Sequence, residues 1–237
     1  MRIHLLWLIH IYTGLGIPIA GLTLYYCAKG EIKTAFFYMF LAVLIDATDG
    51  SLARRFNVSK VLTSFDGRKL DDLVDFLNYV LVPVTMAFFL KILPGDNLFF
   101  GIIPIMASAY GFSQVSAKTE DGFFSGFPSY WNLVVFYLYL FKLPTFLNIM
   151  IFILFSGAVF MPIKYIVPFK TKPFARVTNI FCAVWCLNLF AIYVFFQNPP
   201  AWLVMLSTAF PFYYAGLSVY LHFSKSGDPQ PKRRNNY

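Results

Sequence analysis

The sequence predicts an all-α, polytopic membrane protein with about eight transmembrane helices and both termini in the cytoplasm. Three observations carry that expectation. The chain is 59% hydrophobic and only 13% charged, with a mean hydropathy of +0.65, which excludes an ordinary soluble globule. Apolar runs near the ~20 residues that a bilayer core requires alternate with short polar or Pro/Gly breaks. The basic residues, finally, fall almost entirely on alternate loops, as the positive-inside rule requires.

In chain order the spans fall at roughly 8–28, 33–52, 70–92, 97–117, 127–143, 146–165, 176–197 and 200–223. The first follows Arg2 and looks like a signal peptide, but no small-x-small cleavage site follows it, so it is read as retained. Lys29-Gly30-Glu31 separates it from the second, which runs through AFFYMFLAVLI into Asp46 and Asp49. The third begins at Asp71 and Asp75 and continues through FLNYVLVPVTMAFFL to the break Leu93-Pro94-Gly95-Asp96. Lys142-Leu143-Pro144 is a very short connection between the fifth and sixth spans, and Asn198-Pro199-Pro200 precedes the eighth. Residues 1–224 thus form one membrane domain, and the tail 225–237 is polar, Pro-containing and cytoplasmic.

With both termini on one side, that side holds Arg2, Arg54, Arg55, Lys60, Arg68, Lys69, Lys118, Lys164, Lys170, Lys172, Arg176, Lys225, Lys232, Arg233 and Arg234. These are fifteen of the nineteen Lys and Arg residues; Lys29, Lys33, Lys91 and Lys142 fall on the other side. The formal charge of +8 therefore sits in loops and tail, where anionic lipid and orientation explain it and nucleic acid need not be invoked. Three cysteines make no disulfide framework. Cys182 and Cys186 share a helix face with no further ligand at metal spacing, and are read as buried structural thiols.

The functional signal lies between Asp46 and Asp75, which hold six of the eleven acidic residues beside apolar sequence. Carboxylates at membrane depth are costly unless they pair, bind metal or line a wet cavity. Continued as a helix, the second span puts Asp46, Asp49, Gly50, Ala53 and Arg54 on one face. A helix restarted near Asp66, with Ser64 or Asp66 as cap, puts Gly67, Asp71 and Asp75 on another. Two antiparallel helices then present four carboxylates to one another, which repel unless cations intervene. Hard oxygen ligands of this kind suit Mg²⁺, Mn²⁺ or Ca²⁺. Gly50, Ala53 and Gly67 form a floor without bulky side chains, and Arg54 offers a bidentate phosphate contact, so the parts fit a diphosphate. Singly, each Asp is equally a cap or an ion-pair partner of Arg54, Arg55, Arg68 or Lys69. Jointly and in register that reading weakens, because spans rarely carry such charge. Asp72 points about 100° away from Asp71 and is read as an ion-pair or solvated position.

The pattern Asp46-x2-Asp49-Gly50-x2-Ala53-Arg54, twelve residues, then Gly67-x3-Asp71-x3-Asp75 resembles the signature of the CDP-alcohol phosphatidyltransferases, with every fixed position matched. The twelve-residue spacing is similar to that of the bacterial phosphatidylcholine synthase subfamily, as are His10-Ile-Tyr-Thr13-Gly-Leu-Gly16 and Gly126-Phe-Pro-Ser-Tyr-Trp-Asn132. The resemblance implies metal-dependent transfer of a phosphatidyl group from CDP-diacylglycerol to choline in the bacterial cytoplasmic membrane, giving phosphatidylcholine and CMP. It implies that Asp46, Asp49, Asp71 and Asp75 hold one or two Mn²⁺ or Mg²⁺ ions, and that Asp75 is also the general base on choline. Gly50, Ala53, Arg54 and Gly67 would line the CDP site. Similar enzymes pair as homodimers.

Thr13 and His10 can reach the nucleotide, with packing or a span-local hydrogen bond as the competing reading. Choline, a quaternary ammonium, is normally held by aromatic faces. Phe124, Tyr130 and Trp131 are the candidates, against an interfacial aromatic belt as the alternative. Glu120 or Asp121 can offer an anion to the ammonium. Serine or inositol in place of choline is the nearest competing activity. A divalent-cation transporter is the competing class, but it predicts polar residues along further spans, and spans five, six and eight are nearly free of charge.

Overall fold

The computed structural model describes residues 3–115, 117, 119 and 122–225. The expectations placed on Arg2, Lys118, Glu120, Asp121 and the tail beyond Lys225 lie outside the described residues. The chain is mostly helical and divides into two compact units. One takes Met1–Gln114 and Ser129–Phe160; the other takes Val115–Pro128 and Met161–Tyr237.

The first unit opens with α1 (Ile3–Gly14) and α2 (Gly16–Ala28), nearly one rod with a break at Leu15. Next come α3 (Ile32–Arg55), the short α4 (Val58–Val61) and α5 (Gly67–Asp75), which passes through a π segment (Phe76–Leu81) into α6 (Val82–Phe89). Helices α7 (Phe99–Ser113), α8 (Trp131–Phe141) and α9 (Thr145–Phe160) complete it. The second unit holds β1 (Phe123–Ser125), β2 (Lys164–Ile166), α10 (Ala175–Val194), α11 (Ala201–Ser207) and α12 (Ala209–Lys225). Among the described residues, five helical stretches are long and apolar enough to cross a membrane: His4–Ala28, Ile32–Arg55, Gly67–Phe89, Ala175–Val194 and Ala201–Ser224. Three shorter apolar helices, Phe99–Ser113, Trp131–Phe141 and Thr145–Phe160, stand where the fourth, fifth and sixth spans were predicted. Large apolar side chains lie exposed along these helices, as Ile180, Val184, Leu187, Phe190 and Val194 do on α10. Such a surface is stable against lipid and not against water.

Two features place the acidic region. Val58 and Leu62, on and just after α4, bury themselves against Leu6 and Ile9 of α1. That apolar anchor holds the connection between α3 and α5 and fixes where α5 begins. Its start is capped by Asp66, whose carboxylate accepts from the Arg68 and Lys69 backbone N–H groups at 3.1 and 3.2 Å. Satisfying orphan amides in this way is the ordinary work of an N-cap aspartate.

Further along, Pro83 sits inside an otherwise continuous helix. Proline brings no N–H and its ring crowds the carbonyl four residues back, that of Tyr79. The turn before it is wound wide, with the Val82 N–H bonding to the Leu77 carbonyl, a five-residue step. Asn78, buried in this turn, donates from Nδ2 to the Gly16 and Val74 carbonyls, each at 3.0 Å. Gly16 is needed here: a Cβ at this position would collide with Val74, so its absence lets α2 reach the α5 side.

The fifth helix begins at Trp131, later than predicted, because the preceding chain forms β1, which pairs antiparallel with β2 across a long sequence separation. The sixth ends at Phe160 for the same reason, with β2 following. All three cysteines are free thiols; Cys27 and Cys182 are buried, whereas Cys186 is exposed, correcting the expectation that both members of the α10 pair are buried. They lie one turn apart on the same face of α10, the second further into the exposed surface.

Candidate active site

Helix α3 does continue past Ile45 to Arg55, so Asp46 and Asp49 stand one turn apart on its polar end. Asp71 faces them from α5. One carboxylate oxygen from each of Asp46, Asp49 and Asp71 lies within 4.8 Å of the others, with Asp49 buried and the other two half-buried. Three hard oxygen donors converging from two helices are a donor set that Mg²⁺ or Mn²⁺ accepts and a soft metal does not. The residues present therefore fit a divalent ion. Asp75, expected as a fourth ligand, stands one turn beyond Asp71 and outside this trio.

The surroundings of Asp49 bring together several of the predicted residues. Its carboxylate is within hydrogen-bond reach of the Thr13 hydroxyl and the Gly50 backbone amide, and within the fields of Asp46 and Arg54. The Thr13 hydroxyl also reaches the Ile9 carbonyl at 3.3 Å, the span-local bond that was its competing reading. Arg54 folds back along its own helix. Nη2 donates to Ser51 Oγ at 3.2 Å, and Nη1 would be 3.2 Å from a Cβ placed on Gly50. The bare Gly50 backbone thus makes room for the arginine itself. Ala53 packs with Leu52 against the α1–α4 cluster.

Gly67, the first residue of α5, is overlain by the His10 imidazole, which a Cβ at this position would strike. His10 is wedged between Trp7 and Phe65, with ring centroids at 5.8 and 4.6 Å. Its buried Nε2 has no hydrogen-bond partner among the described residues. The glycine is therefore a close-approach position, and the imidazole stands at the edge of the predicted nucleotide floor.

The aromatic candidates divide. Tyr130 precedes α8 and its ring lies 6.1 Å from that of Tyr79, at 54°. Trp131, one residue on, is fully buried: its indole N–H donates to Ser108 Oγ at 2.7 Å and its ring stacks on Phe152 at 5.1 Å. That indole is committed to packing, which corrects the expectation that it faces choline. Phe124 belongs to the second unit, on β1, opposite Tyr165 of β2.

One residue at the site was not anticipated. The Tyr79 hydroxyl donates to Asp46 Oδ2 at 2.5 Å, and Tyr79 also lies in the field of Asp75. Its spacing continues the series Asp71, Asp75, Tyr79, four residues each time, and that was the available signal.

A family model described as CDP-alcohol phosphatidyltransferase matches residues 7–210. A phosphatidylcholine synthase of Legionella pneumophila is 36% identical over 96% of this chain and 91% of its own length. One of Borreliella burgdorferi is 32% identical over 94% and 97%, and one of Agrobacterium fabrum 30% identical over 92% and 91%.

Proposed function

The chain belongs to the CDP-alcohol phosphatidyltransferase family, and from that premise we propose that it is the enzyme that moves the phosphatidyl group of CDP-diacylglycerol onto choline, releasing CMP. The observation that carries the chemistry is the convergence of Asp46, Asp49 and Asp71 from α3 and α5 within 4.8 Å. Similarity at 30–36% identity over nearly the whole chain to proteins named phosphatidylcholine synthase supports choline as the acceptor.

In this reading Asp46, Asp49 and Asp71 hold one or two divalent ions, Mn²⁺ or Mg²⁺, and Asp75 contributes from its place one turn away. A divalent ion held by these aspartates would supply the positive charge that a transferring phosphoryl group and a departing nucleotide need. The protein's own residues do the rest. Gly50, Ala53 and Gly67 keep bulky side chains of their own away from the nucleotide, with Thr13 beside Asp49 and the His10 imidazole lying over Gly67. Arg54 needs only to swing from Ser51 to contact a phosphate oxygen, trading a weak neutral partner for a charged one. Asp75, one turn beyond Asp71 and outside the carboxylate trio, serves as the proton acceptor. The choline oxygen bonds to the lipid-bearing phosphorus, the bond from that phosphorus to the bridging oxygen breaks, and the hydroxyl proton passes to the Asp75 carboxylate. Tyr130 offers an aromatic face to the trimethylammonium group.

Eight spans with both termini in the cytoplasm would put the polar ends of α3 and α5 at the cytoplasmic surface of the membrane. There choline arrives from water and the liponucleotide from the bilayer. A homodimer is the assembly expected from the family. The test is acceptor choice: protein purified in detergent is given CDP-diacylglycerol with choline, serine or inositol. Phosphatidylcholine and CMP should form with choline alone, and CMP release with serine or inositol but not choline would overturn the assignment.

A further inference from the structure

Tyr79 is a positioned side chain. Its neighbour Asn78 is anchored by two hydrogen bonds, to the Gly16 and Val74 carbonyls, and Val80 on the other side is fully buried. The backbone that carries Tyr79 is thus held on both sides, within the wide turn imposed ahead of Pro83. From there the phenol reaches across to α3, and its O–H donates to Asp46 Oδ2 at 2.5 Å, a short, charge-assisted bond. A carboxylate has about four lone-pair sites, so one taken by the phenol leaves the others for a cation. An isolated aspartate on a helix end rotates freely about its side-chain torsions. Asp46 has one oxygen, Oδ2, engaged by a group on the facing helix segment, which favours one rotamer.

We infer that Tyr79 is a positioning residue: through the hydrogen bond from its hydroxyl to Asp46 it holds that carboxylate in the orientation in which Asp46, Asp49 and Asp71 bind a divalent ion. The inference rests on the proposed use of these aspartates as metal ligands, but not on which alcohol is the acceptor. Partners of this kind fix ligand orientation, and their loss typically weakens metal binding by about 10–100-fold. The competing account, in which Tyr79 only fills space beside Tyr130, predicts that a phenylalanine serves equally well.

The test uses the full chain in detergent micelles, with Mn²⁺ alone as the probe and electron paramagnetic resonance to count free ion. Tyr79→Phe should raise the Mn²⁺ dissociation constant by about 10–100-fold while the protein still folds, as a retained cooperative melting transition in EDTA shows. In an Asp46→Asn background the same change should add nothing further, because the residue acts through that carboxylate. During turnover the metal concentration for half-activation should rise with the KM for choline unmoved. Equal Mn²⁺ affinity in wild type and Tyr79→Phe overturns the inference. Should the phenylalanine variant fail to fold, 3-fluorotyrosine at position 79 preserves the side chain's shape. Its fluorine resonance should shift on adding Mg²⁺ and cease to shift in Asp46→Asn, and a resonance blind to Mg²⁺ overturns the inference by itself. No nucleotide or choline enters these measurements, so a wrong acceptor assignment leaves them untouched.

Discussion

Two regions of this chain handle polar groups differently. In the second unit several such groups are neutral and pair with one another. Thr178 and Tyr213 share a hydrogen bond at 2.8 Å, the Ile166 N–H donates to buried Ser218 at 3.1 Å, and Thr171 donates to the Gly122 carbonyl at 2.7 Å. Each pair closes on itself and asks for nothing from outside. In the first unit, the ends of α3 and α5 bring three carboxylates of like charge within 4.8 Å. Carboxylates so close repel, and the arrangement is relieved only by a cation or by protonation. Those neutral pairs answer one another, whereas the three carboxylates leave like charge to be answered. Charge, rather than polarity as such, separates the two.

Substitutions can break that comparison at graded cost. Asp75→Asn should be the most damaging to turnover, by about 10²–10⁴-fold, the range for loss of a general base. Nucleotide binding and the melting temperature should survive, and CMP release measured beside CDP binding separates the two effects. Asp49→Asn comes next. Removing one preorganised contact to a reacting charge costs on the order of 10²–10³-fold in turnover. Added Mn²⁺ should also cease to raise the melting temperature of this variant. Wild-type activity in either variant would return the carboxylates to a structural role.

Gly67→Ala sharpens the contrast from the packing side. Its new methyl group meets the His10 imidazole, and overpacking of this kind costs about 1–3 kcal/mol. Adding His10→Ala should recover much of that stability, as read from thermal unfolding in detergent. Failure of the second substitution to help would mean that Gly67 is required for a reason other than His10. The smallest effect is expected in the second unit. Thr178→Val removes one neutral hydrogen bond, worth about 0.6 kcal/mol between membrane helices, and should leave turnover unchanged.

Much of the site was legible in the sequence because its logic is local. Asp46 and Asp49 at one helical turn, Gly67 and Asp71 at another, and Asp66 as a cap are all spacings along single helices, and the structure keeps each of them. The apolar runs announced their helices for the same reason. What could not be read depends on contacts between distant segments. The strand pair of Phe123–Ser125 with Lys164–Ile166 joins residues some forty positions apart and carries no alternation long enough to signal a strand. It shortened two predicted helices. The burial of Trp131 depends on Ser108 and Phe152, from two other helices, so a dense aromatic stretch gave no hint of which ring turns inward. Tyr79 was hidden by its thirty-three-residue separation from Asp46 and by a widened turn, although its distance from Asp75 repeats the interval between Asp71 and Asp75.

The most direct measurement is CMP release from CDP-diacylglycerol and choline by purified protein stripped with EDTA and then titrated with Mn²⁺ or Mg²⁺. If opposed aspartates act by gripping a divalent ion, stripped protein is inert, the metal restores turnover, and no concentration restores it to Asp49→Asn or Asp71→Asn. Undiminished CMP release in EDTA would contradict the account at its root.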